Sequence, residues 1–96
     1  DLMNLSVSLR TDLEDLTGEV VYARRNGDLG RLALLCYCEI RRWARLVGEE
    51  RLARLSCAFV TEQPARDRQE FIARVDQVIL ELEGVCERAG YQRPPE

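Results

Sequence analysis

Histidine and lysine are both missing from the 96 residues. Without histidine there is no Ser/His or Cys/His nucleophilic pair, no His-ligated zinc or haem, and no imidazole switch near neutral pH. No P-loop, GxGxxG, nucleophile elbow or ExxH di-iron signature occurs either. Neither an enzyme nor a cofactor is expected. No apolar run reaches the length of about 18 residues that a membrane span needs, and the N-terminus lacks the layout of a signal peptide. The expectation is a cytoplasmic protein with no membrane partner.

What is present describes a small helical protein. Apolar residues make up 46% and charged residues 32%, and 14 basic against 17 acidic side chains leave a net charge of −3. A chain of this size reads as one domain around one core. Every basic residue is arginine, a bias expected of a GC-rich coding genome and hence of a bacterium or virus. The chain opens at Asp1 with its one methionine at Met3, as expected of a piece of a longer protein.

Apolar residues recur at helical spacing throughout. Over residues 2–25, Leu2, Leu5, Leu9, Leu13, Leu16, Val20 and Ala23 fall within an arc of about 80°. Asn26-Gly27 resembles a strand turn, but its flanks have the helical period. Gly27 is therefore read as the end of the first helix and Asp28 as the N-cap of the next. The second helix, 28–47, carries the stripe Leu29, Leu32, Cys36, Ile40, Trp43 and Val47, and Gly48 ends it. A short third helix over 49–60 presents Leu52, Leu55 and Phe59. The last helix starts between Pro64 and Asp67, where Asp67 and Glu70 form a capping-box-like pair, and ends at Gly90. Its stripe, Phe71, Val75, Val78, Leu82, Val85 and Ala89, has the rhythm of helix bundles. The predicted fold is all-α, a bundle of three long helices and one short, spanning 1–90 with a proline-rich tail at 91–96.

The stretch Leu32-Ala33-Leu34-Leu35-Cys36-Tyr37-Cys38 is uncharged on every side of a helix, as a segment buried all round would be. Leu34, Leu35 and Cys38 point away from the core stripe and need a cover. A second chain is one source; a central position in a monomeric bundle is the other. Arg31, Arg41, Arg42 and Arg45 lie around this apolar centre, within about 100° of arc. On the last helix Asp76, Leu80, Glu83 and Glu87 form a ridge of opposite sign. The two ridges suit pairing between chains, as in a homodimer, or the solvated faces of a monomer.

Other chemistry finds less support. Arg24-Arg25 and Arg41-Arg42 beside Trp43 suggest nucleic acid, but the net charge is negative and Trp43 sits on the core stripe. A helix, Gly48, helix arrangement resembles a helix-turn-helix, yet its second helix opens with Glu49-Glu50 where base-contacting residues belong. Cys36 and Cys38 lie about 200° apart on their helix and cannot chelate one metal ion together. Cys36 and Cys86 fall on core stripes, which leaves Cys38 as the exposed or interfacial thiol. The carboxylates at Asp12, Glu14 and Asp15 and at Glu81, Glu83 and Glu87 lie on polar faces without the enclosure that acid–base work needs.

In size, single domain, acidic balance and lack of catalytic groups the chain resembles the small bacterial antiactivators that sequester a transcription factor, such as those restraining LuxR-type quorum-sensing regulators. The resemblance is one of type, with no shared motif, and fits secretion chaperones and phage-encoded inhibitors too. It implies a protein partner, held by covering the surface that partner uses for dimerisation or DNA binding. A nucleic-acid-binding bundle and a structural subunit of a larger assembly are the alternatives.

Overall fold

Ser6 opens the first helix, its hydroxyl accepting the Leu9 N–H at 3.2 Å. The computed structural model describes residues 6–61 and 64–90, with the backbone alone for 58–61. Helix α1 is Val7–Arg25. Its predicted start at Leu2 and Leu5, like the tail at 91–96, lies outside the described residues. As the sequence predicts, the chain then turns through Gly27 at φ 65°, and the Asp28 carboxylate caps the next helix by accepting the Arg31 N–H at 3.0 Å.

That next helix, α2, spans 29–47 in three joined segments: α-helical Leu29–Leu34, π-helical Leu35–Ile40 and α-helical Arg41–Val47. The backbone stays right-handed helical across both joins, at Leu35 (φ −62°, ψ −49°) and Arg41 (φ −59°, ψ −46°). A π turn holds one more residue than an α turn, so everything after it is set back around the axis by about one 100° step. This insertion is not foreseen by a uniform helical period. It decides which side chains of 41–47 face inward.

Gly48 at φ 78° ends α2 in the left-handed conformation that a side chain disfavours. Helix α3, Glu50–Thr61, follows at once. Helix α4, Arg68–Arg88, is capped by Asp67, which accepts the Glu70 N–H at 2.9 Å. The reciprocal half of the capping box does not form. Glu70 instead accepts from Arg66 at 2.7 Å and Arg74 at 2.9 Å, and the Arg66 hydrogen bond holds its carboxyl below the usual range.

Each helix packs on its neighbour in the chain, and α4 closes the ring on α1, with α1 antiparallel to both α2 and α4. The register follows from contacts that cross the seams: Arg31 with Glu19 for α1 and α2, Arg51 with Glu81 and Arg88 with Glu49 around α3 and α4, and Arg24 with Asp76 for α1 and α4. Inside the ring lie Leu13, Val20, Leu32, Leu35, Ile40, Leu52, Val75, Val78, Leu82 and Val85, all fully buried. Each such side chain contributes roughly 1.5–3 kcal/mol, against at most about 1 kcal/mol for an exposed ion pair, so apolar packing holds the bundle together. Thr17 is buried too; its hydroxyl donates to the Leu13 carbonyl at 2.7 Å and lies 3.3 Å from Cys86 Sγ on α4.

Ser56 on α3 is one of two exceptions to polar satisfaction among the described residues, the other being the Arg41 Nε. Its hydroxyl is fully buried with no hydrogen-bond partner among the described residues. An unmatched buried hydroxyl costs about 1–3 kcal/mol. Ser56→Ala is therefore expected to raise the unfolding free energy by about 1 kcal/mol in urea titration, and a loss of stability would show that the hydroxyl has a partner.

Candidate docking face on the second helix

Of the residues singled out from sequence on α2, one faces inward. Leu35 is fully buried and belongs to the core, because α1 and α3 flank α2 and supply the cover it needs. Leu34 remains 47% exposed, and Cys38 is exposed with a free thiol. Setting back the segment after the π turn brings Ala44 into the core and turns Leu46 out, to 68% exposure. Leu34, Cys38, Arg42 and Leu46 then form an outward ridge at four-residue spacing, with all four side chains exposed.

The ridge separates two depressions of opposite charge. On one side, a pocket of about 480 Å³ is lined by Tyr37, Cys38, Arg41, Arg42, Arg45 and Leu46, all from α2. On the side toward α1, a groove of about 440 Å³ has Leu16, Trp43 and Leu46 among its apolar lining and Asp12, Asp15, Glu19 and Glu39 among its acids. Arg42 and Leu46 line both. Trp43 is 3% exposed and fixed by its indole N–H, which donates to the Leu9 carbonyl at 3.0 Å.

The arginines divide by whether their charge is already matched. Arg31, expected on the docking rim, pairs with Glu19 at 2.9 Å and Glu39 at 3.4 Å, and so fastens α2 to α1. That leaves Asp12 and Asp15 as the carboxylates of the groove with no ion pair among the described residues. Arg41, Arg42 and Arg45 likewise make no ion pair there, and the Arg41 Nε is buried without a hydrogen-bond partner. Among the described residues, then, the face carries charge of both signs that the fold leaves unmatched.

The acidic ridge expected on α4 is only partly available. Asp76 is engaged within the chain, accepting from Arg24 through both carboxylate oxygens at 2.8 and 3.3 Å. Leu80 is 71% exposed, Glu87 is exposed and Glu83 is half-buried. The acids across the α2 ridge from the basic pocket are instead Asp12, Asp15 and Glu19 of α1 and Glu39 of α2. Leu46, Asp12 and Asp15 are thus among the members of the face that sequence reasoning did not assign to it.

The cysteines sort as their spacing predicts. Cys36 and Cys86 are buried and Cys38 is exposed, with burial pushing the Cys36 thiol up to about 12. No group of three or more metal-ligating side chains comes together among the described residues. Nor is any described helix long and apolar enough to cross a membrane.

Fold and face together define an all-α bundle with a charge-divided apolar ridge on its second helix. Comparison of the chain with protein-family models, with curated proteins and with solved structures finds no match in any of the three.

Proposed function

We propose that this protein is a non-catalytic regulator that acts by binding another protein through the outer face of α2. The proposed target is a transcriptional activator, sequestered by covering the surface it needs for dimerisation or DNA binding. One observation carries the reading: three arginines without ion pairs among the described residues, Arg41, Arg42 and Arg45, border an exposed ridge that includes Leu34, Cys38 and Leu46. An apolar centre with a polar rim is the anatomy of a protein interface, and unmatched charge at the rim steers and orients the encounter. A basic rim suits an acidic partner surface. That favours occlusion of a dimerisation or activation surface over one that contacts DNA.

The test is capture from nuclease-treated lysate of the source organism, followed by reconstitution. A stoichiometric DNA-binding regulator is expected in the eluate, and added protein is expected to remove that regulator from its operator in a gel shift. The double variant Leu34→Glu/Cys38→Glu, with helicity intact by circular dichroism, is expected to lose both effects. Capture that survives this change would remove the α2 face from consideration. The arginines also favour a nucleic-acid reading, which Asp12 and Asp15 across the ridge oppose. Nucleic acid retained without a protein partner, with affinity falling steeply in salt, would establish it in place of sequestration.

A further inference from the structure

We infer that, in the absence of a foreign partner, the outer face of α2 is covered by a second copy of this chain in a two-fold dimer. The argument is charge complementarity. The basic pocket and the acidic groove lie side by side, with Arg42 and Leu46 common to both. Arg45 on one flank and Asp12 and Asp15 on the other have no ion pair among the described residues.

A two-fold contact joins a surface to itself, so the surface must complement its own rotated image. Here the direction of the axis is decided by the charges. An axis crossing the ridge at right angles would set acid on acid and base on base. An axis running along the ridge, between α2 and its copy, lays each basic flank over the partner's acidic flank, and does so twice. The same axis stacks the ridge on itself, bringing Leu34 and Leu46 out of water and setting Cys38 opposite the Cys38 of the second copy; Arg42, on the ridge, meets its own copy there, so the charge match rests on Arg45 over Asp12 and Asp15. No other element needs to move.

Self-contact and foreign contact would use one face, so capture of a target would require the dimer to open; that consequence alone rests on the sequestration reading. The dimer does not depend on it.

Sedimentation velocity across a micromolar range tests the inference with two charge-reversed variants of the full chain, Arg45→Glu and Asp12→Arg/Asp15→Arg, each checked for helicity. The wild type is expected to dimerise, and more weakly as salt is raised. Each variant alone faces like charge with like charge and is expected to dimerise at least about tenfold more weakly. Mixed one to one, the two restore both sets of contacts and are expected to form a heterodimer. A short bismaleimide is expected to join wild-type chains through Cys38 and to fail with Cys38→Ser. Should the double variant not fold, the single change Asp15→Arg gives the same comparison.

A wild type that is monomeric throughout overturns the dimer, as do variants that dimerise unchanged or a mixture that stays monomeric. A monomer that still captures a target through Leu34 and Cys38 would overturn the dimer and leave sequestration standing. A dimer that captures nothing would do the reverse.

Discussion

Replacing Trp43 by alanine is expected to cost about 3–5 kcal/mol of stability, the range for emptying a buried tryptophan site. The side chain is 3% exposed, packs where α1 meets α2, and anchors to the Leu9 carbonyl through its indole N–H. A domain of this size has about 5–15 kcal/mol in total, so the variant would be marginal at 25 °C. Trp43→Phe keeps most of the apolar volume and loses the hydrogen bond, at a smaller cost of about 1 kcal/mol from that bond. Chemical denaturation followed by circular dichroism separates the two changes. A Trp43→Ala protein within about 1 kcal/mol of wild type would contradict the burial described here.

The second large effect contrasts adjacent residues. Leu35→Glu places a carboxylate at a fully buried position and is expected to cost at least about 4 kcal/mol. Leu34→Glu, at a position 47% exposed, is expected to stay within about 0.5 kcal/mol of wild type while weakening capture of a partner. Melting curves of the two proteins give the comparison. Equal tolerance of both would mean that α2 does not turn Leu35 into the core.

That pair also marks where the sequence stops being legible. The ends of the helices could be read in advance, because Gly27 with Asp28, Gly48, and Asp67 with Glu70 act locally. The stripe of α4 could be read too, since Val75, Val78, Leu82, Val85 and Ala89 follow one uninterrupted period and all are buried. In α2 the period is interrupted. A uniform step puts Leu46 about 40° from Leu32, on the core side, whereas the π turn carries it out to solvent. No residue type announces that turn.

Charge pairing was hidden for a similar reason. Arg31 and Asp76 look available along their own helices. Their partners, Glu19 and Arg24, become neighbours only once the register between helices is set. The same register brings Asp12 and Asp15 beside Arg42, although about thirty residues of chain separate them. The sequence therefore disclosed the basic half of the face, Cys38, Arg41, Arg42 and Arg45, and withheld its acidic half.

The ring of helices has a consequence for how the chain reaches this state. Three of its four seams join segments that follow one another directly, so they can form as helical hairpins with little loop to close. The fourth joins α1 to α4, through Arg24 with Asp76 and Thr17 beside Cys86. Most of the entropy of bringing distant chain together falls on that one seam, which sets the end of α4 beside the middle of α1 and makes it the last to close.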